Sequence, residues 1–208
     1  MMRFLPLLLP LFFLAACLPQ GPPTDPLAAL RSEKGTVIWE NEYEFAPPPP
    51  PWQLLSLDET DYSIAFFRGC RDEDPGFYPC ESTFAYAEEP FGYSRDLKQR
   101  QEEFFRRFLW AARVDFEEPR LEAIRLRGDN ALQAETVGRE RVLGHKVLVR
   151  ALFAHRGERV VAFYFTQWRP EDRSFDHGQL ENFQAFVDSF TYLRPSFYQQ
   201  LRERNPKR

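Results

Sequence analysis

Three kinds of side chain in this 208-residue chain have the type and spacing to do chemistry: clustered carboxylates, three histidines and three cysteines. Glu40, Glu42 and Glu44 alternate with Asn41, Tyr43 and Phe45, so over Thr36 to Phe45 they line one side of a predicted strand. Carboxylates at i and i+2 stand roughly 7 Å apart on a strand, a separation that suits a cation and that inverting glycosidases use for an acid/base pair. No third group completes either chemistry, and charges on the wet side of a strand discourage edge-to-edge pairing, so a solvated edge strand is the favoured reading. Asp72-Glu73-Asp74-Pro75-Gly76 is a second acidic run. It lacks the ligand ladder and closing bidentate Glu of a calcium loop and reads as a polar turn. His145 and His155 share strand parity but lie roughly 33 Å apart along an unbroken strand, too far to share an ion. His177 falls in the first turn of a predicted helix and reads as a surface residue.

No Gly-rich phosphate loop, Gly-x-Ser-x-Gly elbow, His-Glu-x-x-His or Cys-x-x-Cys is present. The chain is therefore not expected to be an enzyme, and no catalytic residue, metal or cofactor is expected, although a triad can still assemble in space from dispersed residues. The net charge of -4, with no basic patch, argues against nucleic acid.

The elements that would position these residues follow from periodicity. Trp52 to Leu57 and Tyr62 to Phe67, joined at Asp58-Glu59-Thr60-Asp61, predict strands, as does Thr83 to Ala87. Pro47 to Pro51 cannot lie inside a sheet and predict a stiff polyproline lead into Trp52. From Ser94 to Ala112 the period is helical, with Leu97, Phe104, Phe105, Phe108, Leu109 and Ala112 on one face and the pairs Glu102/Arg106 and Glu103/Arg107 on the other. Val114 to Gly128 has no clear period. Ala131 to Trp168 predicts three strands, broken at Gly144 and at Arg156-Gly157. The last two, Val147 to Ala154 and Val160 to Thr166, are apolar on both faces and need cover on both. The helix of 94–112 and a second at 177–193 can supply that cover. The second opens with an Asp176/Gln179 capping box and a Phe175/Leu180 staple, and carries Leu180, Phe183, Val187 and Phe190 on its core stripe. The expected fold is α+β, one antiparallel sheet sandwiched between helices over 36–194. A short helical tail carrying Phe197 and Leu201 follows over 195–208.

The N-terminus has a basic start, Met1-Met2-Arg3, and an apolar run from Phe4 to Phe13 broken by Pro6 and Pro10. A bilayer crossing needs roughly 20 apolar residues, about twice this run, so it reads as an export signal. Leu14-Ala15-Ala16-Cys17 resembles the lipobox of bacterial lipoproteins. The resemblance implies that 1–16 is a cleaved signal peptide, that the Cys17 thiol carries a diacylglyceryl group and that its amine carries a further acyl chain. Leu18, rather than Asp, after the Cys implies sorting to the outer membrane, facing the periplasm. Residues 17–35, with Pro19, Pro22, Pro23 and Pro26, predict an extended tether at about 3.1 Å per residue. A short helix is signalled within it by Asp25-Pro26-Leu27 and Gly35. In an exported protein whose Cys17 is blocked by lipid, Cys70 and Cys80 are left as a pair and are expected to form a disulfide.

The element order over about 45–193 resembles the Mog1/PsbP-like fold. The matching features are Pro51-Trp52, the mid-chain helix, a hairpin pivoting on Gly144 in Leu143-Gly144-His145-Lys146-Val147, and a closing helix ending Phe186-Val187-Asp188-Ser189-Phe190. Members of that family include photosystem accessory subunits, lipoproteins and transport factors, and the fold has no shared active site, so no functional residue carries over. The two resemblances together imply a lipid-anchored cell-envelope protein that is non-catalytic, reaches the membrane through its anchor and acts on an envelope protein partner through its surface. The 21 Phe residues suggest an alternative, a module that binds an apolar small ligand in its interior.

Overall fold

The computed structural model describes residues 25–58, 63–69, 81–89, 96–156 and 159–194. Cys17, the Cys70/Cys80 pair, the Asp72 to Gly76 turn and the 195–208 tail lie outside these residues. After a 3-10 turn at Ala28–Leu30 come β1 (Val37–Trp39), β2 (Tyr43–Phe45), β3 (Gln53–Asp58), β4 (Ser63–Arg68) and β5 (Ser82–Glu89). Helix α1 (Leu97–Ala112) follows, then β6 (Val114–Phe116), β7 (Arg120–Leu126), β8 (Asp129–Glu140), β9 (Lys146–Arg156), β10 (Arg159–Arg169), α2 (His177–Ser189) and β11 (Thr191–Tyr192).

The main sheet runs β3-β4-β5-β10-β9-β8-β6, with β7 also paired to β8, and a small sheet runs β1-β2-β11. Every pairing is antiparallel. Strands β6 and β7 share one edge of β8 in succession, separated by Glu117-Glu118-Pro119. Gly138 permits β6 to approach, because a Cβ there would stand 2.5 Å from Val114 Cγ1 and 2.7 Å from the Asp115 carbonyl oxygen.

Strands β9 and β10 are buried on both faces, as their sequences require. Val147, Val149 and Phe153 join Phe104 and Phe105 of α1 on one face, while Leu148, Leu152, Phe163 and Phe165 join Phe183, Phe186 and Phe190 on the other. The expected fold class is nonetheless overturned. Eleven strands against two α-helices among the described residues make this a predominantly β structure, not a sheet sandwiched between helices. Cover on the α2 side is shared with the small sheet, whose Trp39, Tyr43 and Phe45 are fully buried against the main one.

That small sheet exists because Thr36 to Phe45 is not one strand. Glu40 and Asn41 both take φ 53°, and the Glu42 N–H donates to the Trp39 carbonyl, closing a turn between β1 and β2. The turn keeps side-chain parity, so Val37, Trp39, Tyr43 and Phe45 still bury while the glutamates stay outside the core. The unassigned stretch 114–128 is β6 and β7, and β7 turns into β8 through Arg127 and Gly128, again both at positive φ. In helix α1, Glu103 pairs with Arg100 at 3.0 Å.

Candidate functional site

The structure disperses the expected carboxylate row. Glu40 is exposed in the β1–β2 turn, Glu42 reaches Arg156, and Glu44 accepts a hydrogen bond from Thr36 Oγ1 at 2.6 Å. His145 precedes β9, His155 lies next to its end, and His177 is exposed at the start of α2. Among the described residues no group of three or more His, Cys, Asp or Glu could hold a metal ion.

Titratable groups converge instead beneath the small sheet. Glu88, which is 4% exposed, projects from β5 on the α2 side. Its Oε1 accepts from Tyr43 Oη at 2.6 Å, from Tyr86 Oη at 2.5 Å and from Arg156 Nη1. The Arg156 guanidinium, from β9, lies against the rings of both Tyr43 and Tyr192, at 4.7 and 4.4 Å from their centroids, and its Nη2 meets Glu42 at 3.3 Å. Cation–π contact and ion pairing therefore hold one guanidinium between the two sheets.

Burial pushes the Tyr43 phenol well up, and the hydrogen bond to Glu88 adds to it. Burial also raises Tyr86, and lifts Tyr192 to about 12. For Arg156 burial works against the cation, but the charge and hydrogen bond of Glu88 together with the nearby Tyr43 and Tyr86 outweigh it, and the proton is held more tightly than usual. Glu88 and Arg156 of the main sheet both bond Tyr43 of the small one, so the cluster ties the two sheets together. Glu88 was missed in the sequence, although a carboxylate at an inward position of the Thr83 to Ala87 strand, had that strand been continued, is the signal that marks it.

Helix α2 is tied down by a second buried polar group. Asp176 Oδ1 accepts from the Gly178 N–H at 3.0 Å, as an N-cap should. Gln179 does not return to the Asp176 N–H as a capping box predicts. That N–H donates to Gln167 Oε1 at 2.8 Å, while Gln179 Nε2 donates to Asp176 Oδ2 at 3.0 Å and Ser82 Oγ donates to Gln179 Oε1. At the other end, Arg127 donates to the Val187 carbonyl. A cation there complements the helix C-terminus.

On the surface, the β8–β9 tip presents Val142 and Leu143 at 62% and 58% exposure. The tip is built to hold them. The carboxylate of Glu140, itself 1% exposed, accepts the N–H groups of both Val142 and Leu143 at 2.5 Å. Arg141 Nε reaches both oxygens of Asp115 in β6, at 3.0 and 2.9 Å. Gly144, at φ 69°, completes the reversal.

No protein-family model and no curated protein matches this chain. Solved structures do. A Mog1 mutant aligns with TM-score 0.52 and 12% identity over 78% of this chain and 97% of that one. The Saccharomyces cerevisiae Ran-binding protein Mog1p aligns with TM-score 0.52 and 11% identity over 74% and 92%. A cyanobacterial PsbP (CyanoP) from Synechocystis aligns with TM-score 0.44 and 14% identity over 73% and 87%. At such identities the likeness is one of fold, and the chain has the Mog1-like fold that its element order suggested.

Proposed function

We propose that this chain is a non-catalytic protein of the bacterial cell envelope, held by lipid on Cys17 at the periplasmic face of the outer membrane, which offers its β8–β9 tip to an apolar pocket on an envelope protein. The observation that carries this reading is a contrast in how polar groups are used. The convergent titratable groups are sealed inside and spent on one another, whereas Glu140 and Arg141 are spent on fixing two exposed apolar side chains. A rigid tip loses little conformational freedom on binding, which is what a recognition anchor requires. That the yeast neighbour is a Ran-binding protein supports a protein-binding use of the fold. The aromatic interior favours the surface over an internal apolar ligand. Its rings are already in contact, with Tyr86 and Phe190 centroids 4.3 Å apart and those of Phe84 and Phe186 5.1 Å apart.

Two measurements test the two halves separately. A photo-crosslinking residue at Val142 in intact cells should give one discrete adduct that disappears in a Leu143→Asp chain and is absent when the crosslinker stands at exposed Leu55. No adduct, or the same adduct from Leu55, overturns the partner half. Cys17→Ser should leave the protein soluble or uncleaved, because stable membrane attachment takes more than one acyl chain. A variant that still fractionates with membranes and matures to the wild-type mass overturns the anchor.

A further inference from the structure

On the α2 side of the main sheet, cross-strand neighbours form a row of charge that runs out to an open edge. Arg150 in β9 stands opposite Glu135 in β8, and Glu135 stands opposite Arg120 in β7. Arg150 donates through Nε to Glu135 Oε2 at 2.6 Å and reaches the same oxygen through Nη2 at 2.5 Å. The charges thus alternate positive, negative, positive, above a shallow polar trough of about 230 Å³ that Glu122 and Gln133 help to line. Beyond β7 there is no further strand among the described residues. Arg120 and Glu122, both exposed, form no ion pair or hydrogen bond among those residues, and Leu121 between them is 39% exposed. A seven-residue strand edge with free backbone groups is a template for another strand.

We infer that the N-terminal end of this edge pairs with a second copy of the chain, residues 120–122 of β7 lying antiparallel to residues 122–120 of the second copy about a twofold axis at Leu121. Antiparallel pairing about that residue keeps the faces of both sheets aligned, so residues two apart meet across the axis. Arg120 of each copy then faces Glu122 of the other, twice by symmetry, and the two Leu121 side chains meet between them. The charge row becomes Arg150, Glu135, Arg120 and the second copy's Glu122, alternating without a break. A twofold interface must be self-complementary in this way, and an Arg and a Glu flanking the axis satisfy it. Pro119, which has no N–H to offer, would stand opposite Ala123 of the second copy, so the pairing ends there on both sides of the axis. The inference is independent of the anchor and of the β8–β9 tip, which belongs to the other end of β8.

Sedimentation of the full chain, purified in mild detergent, should show a concentration-dependent monomer–dimer equilibrium. Arg120→Glu or Glu122→Arg alone sets like charges opposite one another twice and should weaken the dimer by about tenfold or more, and the two together should restore it. Leu121→Cys should form a covalent dimer on mild oxidation, while Leu193→Cys, similarly exposed, should not. A chain that stays monomeric, a dimer indifferent to either single reversal, or equal crosslinking at 121 and 193 overturns the inference. A reversal that instead abolishes capture of a different protein, with no dimer formed, assigns the edge to that protein and also overturns it.

Discussion

Glu88 in β5 and Arg156 in β9 are bonded to one another across the intervening strand β10, beneath the small sheet that Tyr43 and Tyr192 belong to. The pair is buried, with side chains 1% and 10% exposed, and Tyr43 and Tyr86 donate to the same carboxylate oxygen. Removing Glu88 takes the buried acceptor from two hydroxyls and leaves the largely buried Arg156 cation with only the longer contact to Glu42 as its ion pair. Glu88→Ala should therefore cost about 3–5 kcal/mol, read as a shift in the denaturant midpoint. Replacing Arg156 by Met in the same chain should recover part of the loss, since it removes the cation that has lost its buried partner. A single-variant loss below about 0.5 kcal/mol, the range of ordinary surface changes, would show that the two sheets are not held here.

The same cluster predicts instability in base. Burial raises the folded-state value of Tyr192 to about 12 and lifts Tyr43 and Tyr86 well above the ordinary phenol range. An unfolded phenol titrates near about 10, so the folded state binds these protons more tightly. Their stabilising contribution is complete below about 10 and is lost as pH rises towards and through the folded values. Phenolate absorbance should therefore show these rings silent in the native protein between about 10 and 12, and appearing together as the fold is lost. Smooth titration of all tyrosines near 10, with native circular dichroism retained, would contradict the burial.

Phe183 tests the α2 face. It is fully buried, with its ring centroid 5.8 Å from that of Phe165 and 6.0 Å from that of Phe84. Phe183→Ala should cost about 3–5 kcal/mol in urea unfolding. Leu193→Ala, at an exposed position, should stay within about 0.5 kcal/mol. Equal effects would mean that α2 is not packed as a core helix.

Periodicity located β8, β9, β10 and both helices because each is long enough for its pattern to repeat, and Phe183, Val187 and Phe190 are buried as their spacing requires. It failed where structure is set by one or two residues. Glu40 and Asn41 interrupt β1 and β2 without disturbing parity, so the acidic alternation reads as one strand although the chain folds back on itself. Arg127 makes the β7–β8 turn in a left-handed conformation that its side chain does not advertise, which hides β7. The burying of Glu88 depends on Arg156 and Tyr43, residues far away in the chain, and no local pattern carries that information.

We propose a disulfide between Cys70 and Cys80. Strands β4 and β5 pair antiparallel to Arg68 and Ser82, and the Glu81 N–H donates to the Gly69 carbonyl at 3.3 Å, so the segments leading to the two cysteines enter side by side. A disulfide needs its two Cα atoms within roughly 4.4 to 6.8 Å of one another. Closing so short a loop should contribute roughly 3 kcal/mol, less any strain. Protein denatured without reductant and treated with an alkylating agent should gain no mass at Cys70 or Cys80, and after reduction should gain one adduct at each. The Cys70→Ser/Cys80→Ser chain should unfold at lower denaturant than the wild type. Two adducts before reduction would overturn the bond and reopen the question of export.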